Sequence, residues 1–227
     1  MRTQDFQGLK IYRIPAEAKR TRKDGTPRDP KKIGKIHFPV FTPDGTRVVG
    51  FMVSPPDVAG MIKQSDRFVA RDVVRVYEGV LAVPDAKDSF DAAAAKRLGI
   101  DLDACIIWMG MDAVTVSGKK LGYCADAEFD PKTGKVSTFS LTSGMAATAL
   151  VGTIDMPATY LKGYGDGAMI VADEAAELGF SGGVAAKAGE ASAKIGVKVR
   201  SGAESLDEKG AAALKRGSAT MEKGGRA

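Results

Sequence analysis

Histidine and tryptophan each occur once, and cysteine twice, in 227 residues, and each scarcity removes a class of chemistry. With His37 as the only imidazole, a Ser-His-Asp relay has one place to stand. That place is a strand-like stretch beside Phe38, with no activated nucleophile near it in sequence. Cys105 and Cys124 lie 19 positions apart, which is neither the spacing of a redox pair nor a zinc ligand set. Two free thiols are expected, with no cofactor, no metal and no catalytic residues. Also missing is any run approaching the roughly 18 apolar residues of a membrane-spanning helix, since the most apolar piece, residues 104–111, is broken by Gly110. No signal sequence is read at the start of the chain, so the expected compartment is the cytoplasm.

What is present is an ordinary globular composition, 44% hydrophobic, enough for one large or two small cores. The net charge of +5 is unevenly placed. Residues 10–35 hold ten basic side chains against Glu17, Asp24 and Asp29, a balance of +7, which leaves the rest of the chain slightly acidic. Between Lys19 and Lys32 the sequence is charged and turn-forming, with Gly25, Pro27 and Pro30 and no large apolar side chain. It reads as a mobile loop or hairpin. Lys19, Arg20, Arg22, Lys23, Arg28, Lys31 and Lys32 are the candidate contacts for RNA or an anionic membrane surface, and the alternative is a solvated loop.

The most informative stretch is residues 121–141. Leu121, Tyr123, Ala125, Ala127 and Phe129 alternate with Gly122, Cys124, Asp126 and Glu128, the period of a strand with one buried face. On this reading the first set is buried, and Asp126, Glu128 and Asp130 share a solvated face. Asp130 to Gly134 supply hairpin-turn chemistry, and a second strand returns through residues 135–141. The unit has an earlier copy. Ile33, Gly34, Phe41, Pro43, Val48, Phe51 and Val53 fall 88 positions before Leu121, Gly122, Phe129, Pro131, Val136, Phe139 and Leu141 without a gap. Val69, Ala70, Val74, Arg75 and Tyr77 match Met156, Pro157, Leu161, Lys162 and Tyr164 after a one-residue slip, and residues 79–83 match 167–171 once it is undone. The chain is read as a tandem repeat of a small β module.

The glycine-opened strand, the F-D-P-x-T-G turn, the alternating strand and the apolar stretch ending in I-V resemble the PRC-barrel. This small β module occurs in the cytoplasmic part of the photosynthetic reaction-centre H subunit and in the RimM-type ribosome-maturation factor. The second copy fits well; the first departs from the motif at Thr42 and Asp44. Together the copies cover about half of the chain. The resemblance implies a barrel fold and an adaptor role, and it carries no catalytic constellation.

The expected fold is therefore mainly β, two small PRC-barrel-like modules in tandem with short helices. The expected organisation is an N-terminal basic arm and first repeat (1–83), a connecting helix and apolar segment (84–113), a second repeat (114–172) and an Ala/Gly/Lys-rich, partly helical or disordered tail (173–227). A weak first strand is read within residues 1–18, with Leu9 and Ile11 on one face. Short helices are expected after Asp57 through residue 63 and over 145–151, followed by strands over 68–76 and 156–164. Residues 85–98 read as a helix ended by Gly99. Residues 105–109 read as a strand buried on both faces, with Trp108 as a core or inter-module anchor. Residues 163–168 read as a hairpin turn, since no helix follows to present its N-terminus to a phosphate. In the tail, helical pieces are expected over 173–178, 184–195 and 205–216, the first packing through Leu178 and Phe180. The leading functional expectation is a non-enzymatic adaptor that holds a protein partner on barrel surfaces. The second is an RNA- or ribosome-associated factor using the basic arm, although no aromatic residue stands between Lys19 and Lys32 to stack on bases.

Overall fold

A computed structural model of the chain describes residues 1–57, 64–143 and 152–182, and over these the chain lays down the same six strands twice. The first sheet holds β1 (Lys10–Ile14), β2 (Lys31–Phe41), β3 (Val48–Ser54), β4 (Arg67–Ala70), β5 (Arg75–Tyr77) and β6 (Val80–Pro84), in the order β4-β3-β2-β1-β6-β5. The second repeats that order with β7 (Asp112–Thr115), β8 (Lys120–Phe129), β9 (Val136–Thr142), β10 (Gly152–Pro157), β11 (Leu161–Gly165) and β12 (Ala168–Val171). A further strand, β13 (Phe180–Gly182), pairs outside β10. Pairing is antiparallel except between β1 and β6 and between β7 and β12. The protein is mainly β, built as two small β modules in tandem. The continuous strands expected over 68–76 and 156–164 are each broken by one turn of 3-10 helix, Arg71–Val73 and Ala158–Tyr160.

Each long strand carries a bulge at the equivalent place, between Ile36 and Phe38 in β2 and between Cys124 and Asp126 in β8. One extra residue turns every later side chain to the other face. Upstream of the β8 bulge it is Gly122 and Cys124 that are buried, with Leu121, Tyr123 and Ala125 only half-buried; downstream it is Ala127 and Phe129. The alternation expected of residues 121–129 thus holds only from Ala127 onward. Where β1 meets β2 the extra residue is again on the long strand, Ile33 opposite the Ile11–Tyr12 step, and along β1 it is Ile11 and Ile14 that are buried while Leu9 is exposed. Gly34 and Gly122 open the long strands because a Cβ there would lie 2.3 Å from the Ser54 carbonyl oxygen and 2.5 Å from that of Thr142, closer than atoms can approach.

The two modules share one core. Phe41, Val48, Phe51, Val53, Phe129, Val136, Phe139 and Leu141 are all buried within a single cluster, and Phe41 meets Phe139 across the module boundary at 6.3 Å between ring centroids. Val48 N–H donates to the Gly134 carbonyl (2.8 Å) and Val136 N–H to that of Thr46 (2.9 Å). All four residues obey the 88-position offset, so the hairpins meet about a pseudo-twofold axis.

The outer faces of the sheets differ. The one α-helix of the described residues, α1 (Asp91–Leu98), covers the first sheet through Ala94, which packs with Val40, Phe68 and Ala70. It is shorter than the helix expected over 85–98, because Lys87–Ser89 form a 3-10 turn and Phe90 is extended, bridging Val69. The register places Val69 opposite Phe51 and Met156 opposite Phe139, so Glu128, Asp155 and Pro157 stand where Val40, Phe68 and Ala70 stand in the first module. That face gives an apolar helix nothing to pack on.

Residues 105–109 are not a strand. Only Ile106 pairs, with Phe41, because β2 ends there in its hairpin turn and offers no further partner. Trp108 is nevertheless fully buried, its Nε1 donating to the Gly45 carbonyl of the first module (3.0 Å) and its ring edge-on to Phe139 of the second. It is the expected inter-module anchor. The helices expected over 58–63, 145–151, 184–195 and 205–216 lie outside the described residues. Asp173–Glu177 is a 3-10 helix, and Leu178 packs against the shared core.

Candidate binding surfaces

Two surfaces emerge, one basic and one apolar. The linker from β1 to β2 folds into a small hairpin: Thr21 bridges Pro27, Arg22 N–H donates to the Thr26 carbonyl (2.8 Å), and Arg28 N–H to that of Arg20 (2.6 Å). Asp24 holds the turn by accepting from the Thr26 hydroxyl and N–H, and the hydroxyl bond in particular keeps its carboxyl below the usual range. Lys19, Arg20, Arg22, Lys23 and Arg28 are all exposed on this hairpin. Arg22 is partly committed, with its guanidinium 3.3 Å from Asp29.

Lys31 and Lys32 stand apart from that group. They open β2, and pairing with β1 sets Lys31 opposite Arg13 and Lys32 opposite Tyr12. Lys31, Lys32, Arg13 and Arg67 surround a cleft of about 230 Å³ whose floor includes Val53, Val69 and Phe90. Arg13 pairs with Asp85 (3.3 Å) and Arg67 with Asp91 (2.6 Å), and Arg67 also lies over the Phe90 ring. The two lysines have no carboxylate partner among the described residues, so the cleft keeps a surplus of positive charge. Of the seven basic residues singled out in the sequence, two line the cleft and five sit on the hairpin outside it. Arg13 and Arg67 are the cleft cations outside those seven; β1–β2 pairing sets Arg13 opposite Lys31, and β3–β4 pairing brings in Arg67.

The apolar surface lies at the free edges. β5 and β11 each end their sheet and each joins its neighbour through a two-residue turn with both residues at positive φ, Glu78-Gly79 and Asp166-Gly167, the geometry favoured by tight β-hairpins. Residues 163–168 are thus the hairpin expected of them. Val76 pairs with Leu81 and Tyr164 with Met169, so Tyr164 is the counterpart of Val76 and not of Tyr77, because the one-residue slip is already undone within the edge strand. They are 72% and 57% exposed, the same apolar position bared on both modules.

Other chemistry resolves into structural roles. His37 Nδ1 lies 2.6 Å from Asp66 and 3.4 Å from the Ser54 hydroxyl, which itself donates to Asp66. A nucleophile relay needs serine and carboxylate on opposite ring nitrogens; here both approach the same one. Asp126, expected on a solvated face, is buried. The bulge points it inward, where one oxygen accepts from the Thr3 hydroxyl (2.6 Å) and from the N–H groups of Gln4 and Ala127. Its other oxygen lies 3.3 Å from Arg2 Nε, an ion pair without hydrogen-bond alignment. Glu128 is exposed, and Asp130 accepts from the N–H groups of Lys132 and Thr133 to hold the second hairpin turn. Both cysteines are free thiols, and burial pushes the Cys124 thiol far up. No helix among the described residues is long and apolar enough to cross a membrane. Comparison with protein-family models gives no match for this chain, and comparison with curated proteins gives no significant one.

Proposed function

We propose that this protein is a non-enzymatic adaptor that holds a protein partner on the edge hairpins of its β modules. The observation that carries the reading is the matched exposure of Val76 and Tyr164 on two sheet edges that are unpaired among the described residues. Edge strands present a row of unpaired backbone donors and acceptors, which soluble proteins usually blunt with charge or cover, and strand addition is a general mode of partner recognition. The shared core makes the two edges parts of one platform. The resemblance to PRC-barrel modules, which act as adaptors, points the same way. In-cell crosslinking with mass spectrometry tests it: a specific partner should crosslink near β5 or β11, and the crosslinks should disappear in the Val76→Lys, Tyr164→Lys double variant. Crosslinks unchanged in that variant would refute the edge as the docking site.

The basic cleft supports a second reading, an RNA-associated factor or one that meets an anionic lipid surface. Polyanion binding should fall steeply with salt because each neutralised phosphate releases counterions. Lys31→Gln with Lys32→Gln should reduce that slope. Filter binding to a generic RNA and sedimentation with anionic vesicles separate the two ligands, and no binding to either at about 50 mM salt would reduce the cleft and the arm to solvated surface.

A further inference from the structure

The internal repeat shows what belongs in a cavity that the first module leaves open. Gly8 N–H donates to Ile36 O, and Ile36 N–H to Leu9 O; Gly110 N–H donates to Cys124 O, and Cys124 N–H to Met111 O. Ile36 and Cys124 are 88 positions apart, so the segments leading into the modules are equivalent at an offset of 102, and Phe6 corresponds to Trp108. Trp108 seals its side of the axis completely, buried between Phe139 and the Gly45 turn. Phe6 stacks on Phe51 (5.2 Å) and tilts against Phe129 (5.8 Å), but a phenyl ring is smaller than an indole and Phe6 stays partly exposed. Beside it lies a cavity of about 190 Å³ lined by Phe6, Phe51, Phe129, Val74, Leu81 and Pro131. That is below the roughly 300 Å³ typical of a small-molecule pocket and suits one large side chain.

The position of this cavity matters as much as its size. Val76 and Arg75 of the edge strand β5 form its border, and Arg71 forms part of its wall. A strand added to β5 would therefore run past the opening with alternate side chains directed at it.

We infer that the Phe6 cavity is an anchor pocket for an aromatic side chain of a partner strand that pairs with β5, and that acidic residues flank this anchor in the partner. The inference rests on the adaptor reading and specifies how the partner is held. The indole of Trp108 in the equivalent place is the template for the anchor. Arg71 is held by the carbonyls of Val48 and Pro131, so it is the exposed Arg75, with no carboxylate among the lining residues, that sets the preference for acidic flanks, which steer encounter and register more than they add affinity. Because Trp108 already fills its side, the site exists once per chain.

The test uses a blocked seven-residue peptide with a central 5-fluorotryptophan, β-branched neighbours and Asp at both ends, followed by fluorine NMR against the full chain. Binding should saturate at one peptide per chain, and a peptide with Ala at the centre, followed by amide shifts of the protein, should bind at least about tenfold more weakly, as truncation of an interface hot spot does. Phe6→Trp, which fills the cavity from within, should abolish binding with an unchanged or raised melting temperature. If Phe6→Trp does not fold, the Trp-to-Ala peptide comparison on the natural chain decides alone. Equal binding of the two peptides, or undiminished binding to folded Phe6→Trp, overturns the pocket. If the pocket fails while the Val76→Lys, Tyr164→Lys variant still loses its cellular crosslinks, the adaptor reading survives without it; if those crosslinks also persist, both fall.

Discussion

Val48 and Val136 each donate a backbone N–H to the hairpin of the other module, at 2.8 and 2.9 Å. Unzipping either module therefore removes ladder-type bonds and apolar cover from both. Calorimetry should give a single unfolding transition, with calorimetric and van't Hoff enthalpies equal. Two resolved transitions would mean that the shared core does not couple the modules.

Phe139 takes part in that coupling, packed against both Phe41 and Trp108 with no exposed surface. Phe139→Ala should cost about 3–5 kcal/mol, as large core truncations do, read from urea melts followed by Trp108 fluorescence. A loss under about 1 kcal/mol would contradict the burial described here.

Gly45 and Gly25 both have positive φ, but only at Gly45 would a Cβ strike a neighbour, 2.2 Å from Trp108 Cζ2, while the space around Gly25 is open. Gly25→Ala should cost only the backbone penalty, about 1–2 kcal/mol. Gly45→Ala should cost clearly more and should shift the Trp108 emission to longer wavelength, since the ring must leave its dry site. Equal losses would show that the hairpin and the indole are not in contact.

Arg97 of α1 donates to Asp72 at 2.5 and 2.8 Å, tying the helix to the 3-10 turn after β4. That hydrogen bonding, opposed by partial burial, holds the Asp72 carboxyl below its usual range. Folded Asp72 thus binds its proton less readily than an unfolded aspartate, whose pKa is about 3.9. The contribution is fully present above that value and is lost as pH falls through the folded pKa. Asp72→Asn should lower stability at neutral pH by no more than about 1 kcal/mol, because the pair is exposed, and the gap to the natural chain should close in acid. A gap that stays constant down to about pH 2 would assign the effect to something other than ionisation.

Much of this arrangement was legible because duplication writes it twice. The 88-position match between Phe41, Val48, Phe51 and Phe129, Val136, Phe139 identified the hairpins, their register and their buried faces, and residues 163–168 were legible as a turn because no helix follows them. Ala125 and His37 carry no such mark. A bulge depends on how two strands meet, so the flip that buries Cys124 and Asp126 had no local signature. Phe6 carries no mark for a similar reason: it is one aromatic in a polar segment, and its equivalence to Trp108 rests on backbone bonds at an offset of 102 rather than 88. The cleft is only half written in the sequence, since Lys31 and Lys32 are adjacent to the arm while Arg67 arrives from another strand.

The crossing of the leader segments has an evolutionary corollary. Met1 accepts from Phe129 N–H and Ile106 pairs with Phe41, so each module is completed by the stretch that introduces the other. A polypeptide carrying one such repeat would satisfy the same bonds only by pairing with a second molecule in an isologous dimer whose arms are exchanged. Fusion into one chain frees the halves from identity, and the differences between them record the use made of that freedom: Trp108 against Phe6, Ala158 against Arg71, and an acidic outer face against one roofed by α1.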